Sequence, residues 1–295
     1  MPKPPATVQG ELPLAVVLLN WKTPEMTAVT GKQCLAVGYT RGDFALIVVD
    51  NASGDGSAAL LRRELPDAIV IESGANLGFA GGVNLGITAA IERGYSAICL
   101  LNNDAEPGAG CFDAVAKTLL DDPRCAAVGV TIRRACDDSL EAIGGGRLNH
   151  LIGTQKERLS PGQRLDFITG TCLTLRAAAV EDVGLFDTTF FMYWEDVDLS
   201  TRLKAAGWNL RVAPDAVVHH VGQGTVGALS PTSKRYFLES MIRYFKKHSR
   251  YWIVPVSARL LRAFAARAFH ADAHGIRLIV ETTRREGLRG RACTY

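Results

Sequence analysis

The sequence lacks the signatures of several large enzyme classes. No GxGxxG follows its first apolar run, and GxxxxGK[ST], HExxH and GxSxG do not occur. Dinucleotide oxidoreductases, P-loop NTPases, zincins and α/β-hydrolases thereby lose their main support. Seven cysteines (34, 99, 111, 125, 136, 172 and 293) form an odd set without a CxxC pair, most of them inside apolar runs. This argues against a disulfide framework or a zinc site and for a reducing, cytoplasmic compartment. No stretch reaches the ~18 apolar residues that a membrane span requires, and MPKPPATVQGELP has no apolar core of a signal peptide. The expectation is a protein that is soluble or peripheral on the inner face of the cell membrane.

Acidic residues are scarce in one region only. Residues 231–295 carry 14 Lys and Arg against 4 Asp and Glu, whereas residues 1–230 carry 19 against 26. A net charge of +3 therefore hides an acidic body followed by a basic tail. With 295 residues, 47% hydrophobic and 21% charged, the composition suits one large α/β domain or two small ones and excludes disorder. The composition divides the chain into an acidic body over 1–230 and a basic amphipathic helical tail over 231–295.

Short continuous apolar runs read as strands buried on both faces: Leu14–Asn20, Phe44–Asp50, Ala68–Glu72, Ser96–Asn102 and Cys125–Ile132. Helix-length segments lie between them, at Pro24–Val37, Ser57–Leu65, Ala80–Arg93 and Ala109–Asp121. The alternation predicts right-handed βαβ crossovers and a mainly parallel, Rossmann-like sheet flanked by helices, with ligands at the carboxyl ends of the strands. Residues 133–166 read as an irregular insertion or a short hairpin, and Phe167–Leu175 as a further strand. Leu185–Trp194 is an aromatic loop, Glu195–Ala206 a helix, and Trp208–Val212 with Ala216–His220 a last strand pair. In the tail, Tyr236, Leu238, Met241, Ile242 and Phe245 make one helical face ringed by Lys and Arg. A second segment, Trp252–Phe269, has Arg259, Arg262 and Arg267 breaking an apolar run, and such basic amphipathic helices suit an anionic membrane surface or packing within the chain.

Polar residues stand at the strand ends: Asn20, then Asp50-Asn51, then Asn102-Asn103-Asp104. Asp50 alone could be an Asx-turn residue, but three such ends together point to a ligand. Acidic loops facing a phosphate-bearing ligand require a divalent cation between them. Glu195, Asp196 and Asp198 open a helix, where the helix dipole also favours them. Tyr193 and Trp194 read either as core or as a platform for an apolar sugar face, with the platform favoured.

Five runs carry a resemblance: VDNASGDGS from Val49, NLGFAGGVNLG from Asn76, LLNND from Leu100, WEDVDL from Trp194, and Pro214 to Thr225. In this order, between Leu14 and His248, they resemble the family-2 glycosyltransferases of GT-A fold, and among these the rhamnosyltransferase-like branch that builds bacterial cell-surface polysaccharide. The resemblance implies inverting transfer of a sugar from a dTDP- or UDP-sugar to a saccharide or lipid-linked acceptor, with no nucleic acid as partner. It places Asp50 on the nucleotide base, with Asn20, Asn51, Asn76, Gly78, Gly81, Asn102 and Asn103 around the donor. It gives Mg2+ or Mn2+ to Asp104 and His220, makes Asp196 the general base, and sets Tyr193, Trp194 and Glu195 against the acceptor. One departure is Asn102, where many members carry aspartate, so the cation would be held mainly through the donor diphosphate. The competing readings are a sugar-nucleotide pyrophosphorylase, which would need a glycine- and basic-rich loop where Trp21-Lys22-Thr23-Pro24 stands, and a non-catalytic nucleotide-sugar or carbohydrate-binding protein.

Overall fold

The computed structural model of the chain describes residues 10–157, 165–221, 230–269 and 273–288. Strand β1 (Leu14–Asn20) leads through helix α1 (Pro24–Val37) to β2 (Phe44–Asp50), then α2 (Ser57–Glu64), β3 (Ile69–Glu72), α3 (Gly78–Glu92) and β4 (Ala97–Leu101). These four strands pair in parallel in the order β3-β2-β1-β4. The continuous apolar runs allow it, because both faces of each strand are covered. Leu14, Val16 and Leu18 pack with α1, α2 and α4 (Cys111–Asp121) on one side. Ala15 and Val17 pack with α3, α5 (Ala177–Val183) and α6 (Glu195–Ala205) on the other. The result is a three-layer α/β/α arrangement.

Helix α3 approaches β1 closely because its inner face is glycine. A Cβ at Gly82 would lie 2.5 Å from Leu19 Cδ1, and one at Gly86 would overlap Val17. The small residues of the Asn76–Gly86 run thus serve helix–sheet contact.

Beyond β4 the sheet becomes mixed. Strand β11 (Cys172–Arg176) runs antiparallel between β4 and β6 (Cys125–Arg134). Next comes β12 (Asn209–His220), parallel to β6, with β5 (Ala105–Pro107) antiparallel at its outer edge and β7 (Leu140–Ile143) paired to β6. Two sequence expectations change here, and the hairpin reading of the 133–166 insertion is met. Phe167–Leu175 is two strands, β10 (Phe167–Ile168) and β11, separated at Thr169-Gly170-Thr171. The expected last strand pair is one strand, β12, whose register against β6 shifts between Ala213 and Val217 at Pro214, a residue that cannot donate a ladder hydrogen bond. The insertion holds β7 and a true hairpin, β8 (Gly145–Asn149) with β9 (Thr154–Glu157), and β10 joins β8 to complete a three-stranded sheet.

Helices α7 (Pro231–His248), α8 (Ile253–Phe269) and α9 (Ala273–Leu288) close the chain. Residue 230 does not separate two independently packed parts. Leu238, Met241, Ile242 and Phe245 of α7 share a core with Leu148, Phe167, Trp194 and Val197. Lys247 pairs with Asp187 and Asp198, and Arg243 with Glu286. The amphipathic face expected to be available to a membrane is consumed by packing within the chain.

Candidate active site

The ends of β1, β2 and β4 are tied into one polar floor. Asn20 and Asp50 are register partners, and Asn20 Nδ2 donates to Asp50 Oδ1 at 2.7 Å. Ser53 Oγ donates to the same oxygen at 2.6 Å, while its backbone N–H reaches Asp50 Oδ2 at 3.3 Å. Thr27 Oγ1 donates to Asn20 Oδ1 and accepts from Asn103 Nδ2, both at 2.8 Å. Each of these buried amides and carboxylates therefore has a partner, as burial requires. Asn51 and Asn76 clamp the turn into α3: Asn51 Nδ2 donates to Gly78 O and to Asn76 Oδ1, and Asn51 Oδ1 accepts from Leu77 N–H. Gly78 has φ +71, and a Cβ there would collide with the Phe191 carbonyl oxygen, so this position requires glycine. Gly81 packs on Leu77.

A cleft of about 190 Å3 opens above β1 and β4, lined by Leu19, Phe79, Val83, Asn102, Asn103 and Asp104 among others. At its mouth the Asp104 carboxylate is partly exposed, and His220 Nε2 lies 3.4 Å from its Oδ2. The other ring nitrogen of His220 sits 3.3 Å from both oxygens of Glu141. Asp104, against the effect of burial and with help from Glu141, raises the His220 imidazole above its ordinary pKa. The rest of the Pro214–Thr225 run, from Gly222 onward, lies outside the described residues.

The aromatic loop enters α6 through Tyr193 and Trp194, whose φ values of 68 and 69 place two bulky residues in the left-handed region. Lys22 and Ala52, in the loops after β1 and β2, also have positive φ. Backbone conformations of this cost gather at functional sites. Trp194 is 1% exposed and packs on Phe237, Tyr244 and Phe245, which removes it as a sugar platform. Packing won because α7 supplies aromatic partners that no local pattern announces. Tyr193 is half-buried and meets Phe237 edge-on.

The three acids of the α6 first turn have three different surroundings. Asp196 alone reaches solvent, between buried neighbours on either side. Its Oδ2 accepts from Gly170 N–H at 3.1 Å and its Oδ1 from Val197 N–H at 2.8 Å. Burial pushes its pKa up to about 6, against the lowering effect of those two hydrogen bonds. Glu195 is buried, with Oε2 lacking any hydrogen-bond partner, and burial together with the charge of Asp196 raises it well above the carboxylate range. Asp198 is fully buried and takes Arg202 Nε at 2.8 Å, His248 Nε2 at 2.7 Å and Lys247 Nζ at 2.9 Å. Despite burial, these partners bring its pKa down to about 2.

Asp196 stands behind the Phe79 wall of the cleft that Asp104 lines. A Cβ on Gly170 would lie 3.8 Å from Asp196 Oδ2 and 4.0 Å from the tip of Phe79, which lines the cleft wall. The structure thus gathers Asn20, Asp50, Asn102, Asn103, Asp104, His220 and Asp196 around one end of the sheet. Asn51, Asn76, Gly78 and Gly81 stand behind that surface as its framework. Sequence reasoning passed over Ser53, Thr27, Gly170, Glu141 and Glu157. Ser53 was readable three residues after Asp50, in Asx-turn spacing. Glu141 and Glu157 carried no local signal, since only the fold of the insertion brings them here. Glu157, at the exposed end of β9, is raised above the ordinary carboxylate range, the direction in which the charges of Asp196 and Glu141 act.

Comparison with known proteins bears on the family and the fold. Residues 24–184, more than half of the chain, match the profile of Glycosyl transferase family 2. The N-acetylglucosaminyl-diphospho-decaprenol L-rhamnosyltransferase of Mycobacterium tuberculosis is 29% identical over 257 residues, 78% of this chain and 83% of the relative. The low-salt glycan biosynthesis hexosyltransferase Agl10 of Haloferax volcanii is 24% identical over 67% of this chain and 63% of its own length. In fold, a mannosyltransferase from Pyrobaculum calidifontis solved with GDP-Man and Mn2+ superposes with a TM-score of 0.59 at 17% identity, over 98% of this chain and 79% of that one. GalNAc-T7, solved with UDP, GalNAc and Mn2+, superposes with a TM-score of 0.62 at 12% identity, over 94% of this chain and 55% of that one. With its GT-A fold and its family profile, the chain belongs to glycosyl transferase family 2 and is a glycosyltransferase.

Proposed function

We propose that the chain transfers a sugar, with inversion at the anomeric carbon, from a nucleoside-diphosphate donor to a lipid-linked saccharide acceptor, and that Asp196 is the general base. The observation that carries this reading is the part-buried Asp196 carboxylate, which burial pushes up to about 6, held by Gly170 N–H beside the Phe79 wall of the cleft that ends at Asp104. A carboxylate of that basicity is mostly ionised near neutral pH and still accepts a proton well. Similarity to a decaprenol-linked rhamnosyltransferase supports dTDP-rhamnose as the first donor to test, with UDP-sugars second.

Asp50 is the group for the pyrimidine base. Asn20 and Ser53 hold its Oδ1, while its Oδ2 has only the long bond from Ser53 N–H and is suited to the N3–H of thymine or uracil. Asp104 and His220 are the residues that would hold a divalent cation. Among the described residues no three His, Cys, Asp or Glu side chains gather as a complete metal cage. One carboxylate and one imidazole nevertheless fit a cation that takes its remaining ligands from diphosphate and water. When bound, Mg2+ or Mn2+ supplies the charge that neutralises the departing diphosphate. Asp196 takes the proton of the acceptor hydroxyl as that oxygen bonds to the anomeric carbon and the bond to the diphosphate breaks. Gly170 and Val197 N–H groups fix the direction in which its oxygens face.

A panel of nucleotide sugars, with and without Mn2+, tests the reading by thermal shift and by transfer to a polyprenyl-diphosphate saccharide. A donor present at a hundred times its dissociation constant adds about 2.7 kcal/mol of stability. Absence of both stabilisation and transfer for every dTDP-, UDP- and GDP-sugar refutes it.

A further inference from the structure

The four most exposed large apolar side chains among the described residues are Leu151, Tyr251, Leu261 and Ile253, at 73%, 71%, 69% and 60%. They belong to two segments that abut. Leu151 and Ile152 tip the β8–β9 hairpin, while Tyr251, Ile253, Val254 and Leu261 belong to the start of α8 and the turn before it. A Cβ built on Gly153 in the hairpin would lie 2.8 Å from the Pro255 carbonyl oxygen and 3.3 Å from Arg259 Cβ. Beneath them, Leu148 of β8 and Val256 of α8 are buried in one core, with Trp252 and Leu260 packed against it. At 3.6 residues per turn, Ile253, Val254 and Leu261 occupy about 100° of the helix, and Val256 and Leu260 continue the apolar arc on the adjoining side that packs on the core. An apolar patch of this kind on an otherwise ordinary surface marks an interaction site.

We propose that this patch seats the chain on an anionic lipid bilayer, with the hairpin tip and the first turns of α8 entering the headgroup region. Charge decides the occupant. Residues 249–271 hold arginines at 250, 259, 262 and 267 and no Asp or Glu. Basic and aromatic groups interleave at the rim: the Arg250 guanidinium lies 5.9 Å from the Tyr251 ring and Lys246 Nζ 5.1 Å from the Trp252 ring. Aromatic rings and cations beside an aliphatic centre suit headgroup depth on a bilayer of negative surface potential. A second copy is the poorer occupant, because a two-fold contact would set arginine against arginine with no carboxylate from this stretch to pair them.

Of the two tail segments expected to suit a membrane, the second keeps that role and the first does not. Helix α7 spends its apolar face on the chain's own core, and Arg243 and Lys247 are paired with carboxylates. Membrane contact passes to α8 and to a hairpin of the acidic body. The placement also bears on the acceptor, and this step rests on the function proposed above. Leu148 and Val256 share their core with Trp194 and Val197, the residues that flank Glu195 and Asp196. A docked chain therefore holds Asp196 at a fixed height over the bilayer, where the saccharide of a lipid-linked acceptor emerges.

Vesicle flotation of the full chain tests the patch. Wild type should float with phosphatidylglycerol vesicles at low salt, and much less with phosphatidylcholine alone. The triple change Leu151→Asp, Ile253→Asp and Leu261→Asp should lower partitioning at least tenfold. Arg250→Gln and Arg262→Gln should each lower it about fivefold. All these side chains are exposed, so melting temperature and transfer to a short-chain, water-soluble acceptor should stay at wild-type values. Equal flotation of the triple variant and wild type overturns the proposal. So does failure of wild type to float, or a dimer by sedimentation that the triple variant dissolves, which would give the patch to a second copy. If wild type floats as expected but transfers no sugar to any acceptor, the function fails while the membrane patch stands.

Discussion

Asp196→Asn separates catalysis from binding, because it keeps the shape of the side chain and removes only its basicity. The structure sets the size of three effects. First, only the ionised carboxylate can take the acceptor proton, so wild-type kcat should fall as pH drops through about 6. Between pH 7 and pH 5 the ionised fraction falls from about nine-tenths to about one-tenth, roughly a tenfold loss. Second, the asparagine has no proton-accepting carboxylate at any pH, so its kcat should fall by ~10² to 10⁴ and its residual rate should lose the titration near pH 6. Third, Gly170 and Val197 N–H donate to different oxygens of the carboxylate, so one of them faces the NH2 of an asparagine and loses its acceptor. The unsatisfied N–H costs about 1–3 kcal/mol, offset by no longer burying charge beside Glu195. Donor affinity should change less than about threefold, because Asp196 faces the acceptor. Stopped assays at saturating donor across the pH series, with calorimetry for the donor, measure all three. Retention of more than a tenth of wild-type turnover, or a flat wild-type profile from pH 5 to 7, refutes the assignment.

Asp198→Asn should act on stability. The Asp198 pKa of about 2 lies below its unfolded value near 3.8, so its ion pairs stabilise the fold by about 2 kcal/mol above pH 4, and that contribution is lost as pH falls toward 2. Urea melts of the two proteins should differ at pH 7 and converge near pH 2, and a gap that stays constant overturns this account. Asp104→Ala should leave the melting curve intact, since its carboxylate is partly exposed and among the described residues pairs with His220 alone, while abolishing the Mn2+-dependent part of donor binding. Wild-type donor affinity in the presence of Mn2+ would show that Asp104 holds no cation.

Much of the fold was legible because its first half is made of local patterns. LAVVLLN and FALIVVD announce strands covered on both faces, and β1 and β2 span the expected residues. The polar strand ends were legible for the same reason, since an amide or carboxylate that ends an apolar run has little packing use there. What failed depended on partners distant in sequence. Thr169-Gly170-Thr171 looks like the middle of a strand, and only the arrival of Asp196 at Gly170 N–H gives the break a purpose. Trp194 looked like a sugar platform because the aromatics of α7 that enclose it lie some fifty residues away. Glu141 meets His220 across the β6–β7 insertion, where no periodicity marks it. The glycines after Asn76 were read as room for a nucleotide, whereas Gly82 and Gly86 are spent against Leu19 and Val17.

The run Glu195-Asp196-Val197-Asp198 shows how one motif divides its labour through helix geometry. Successive residues turn by about 100°, so three acids in four positions cannot share one environment. Asp196 turns toward the Gly170 N–H beside the cleft wall, and its burial keeps a proton within reach near neutral pH. Asp198 points some 200° away, into Lys247 and His248 at the end of α7 and Arg202 one turn on. Glu195 lies between them without a hydrogen-bond partner for Oε2, a cost that nothing else in the first turn offsets. The same turn therefore sets a base and anchors the helix that covers the third core, and that core carries α8 and the β8–β9 hairpin. Loosening Asp198 should disturb turnover through the position of α6 and disturb membrane docking through α7. Changing Asp196 should disturb turnover alone.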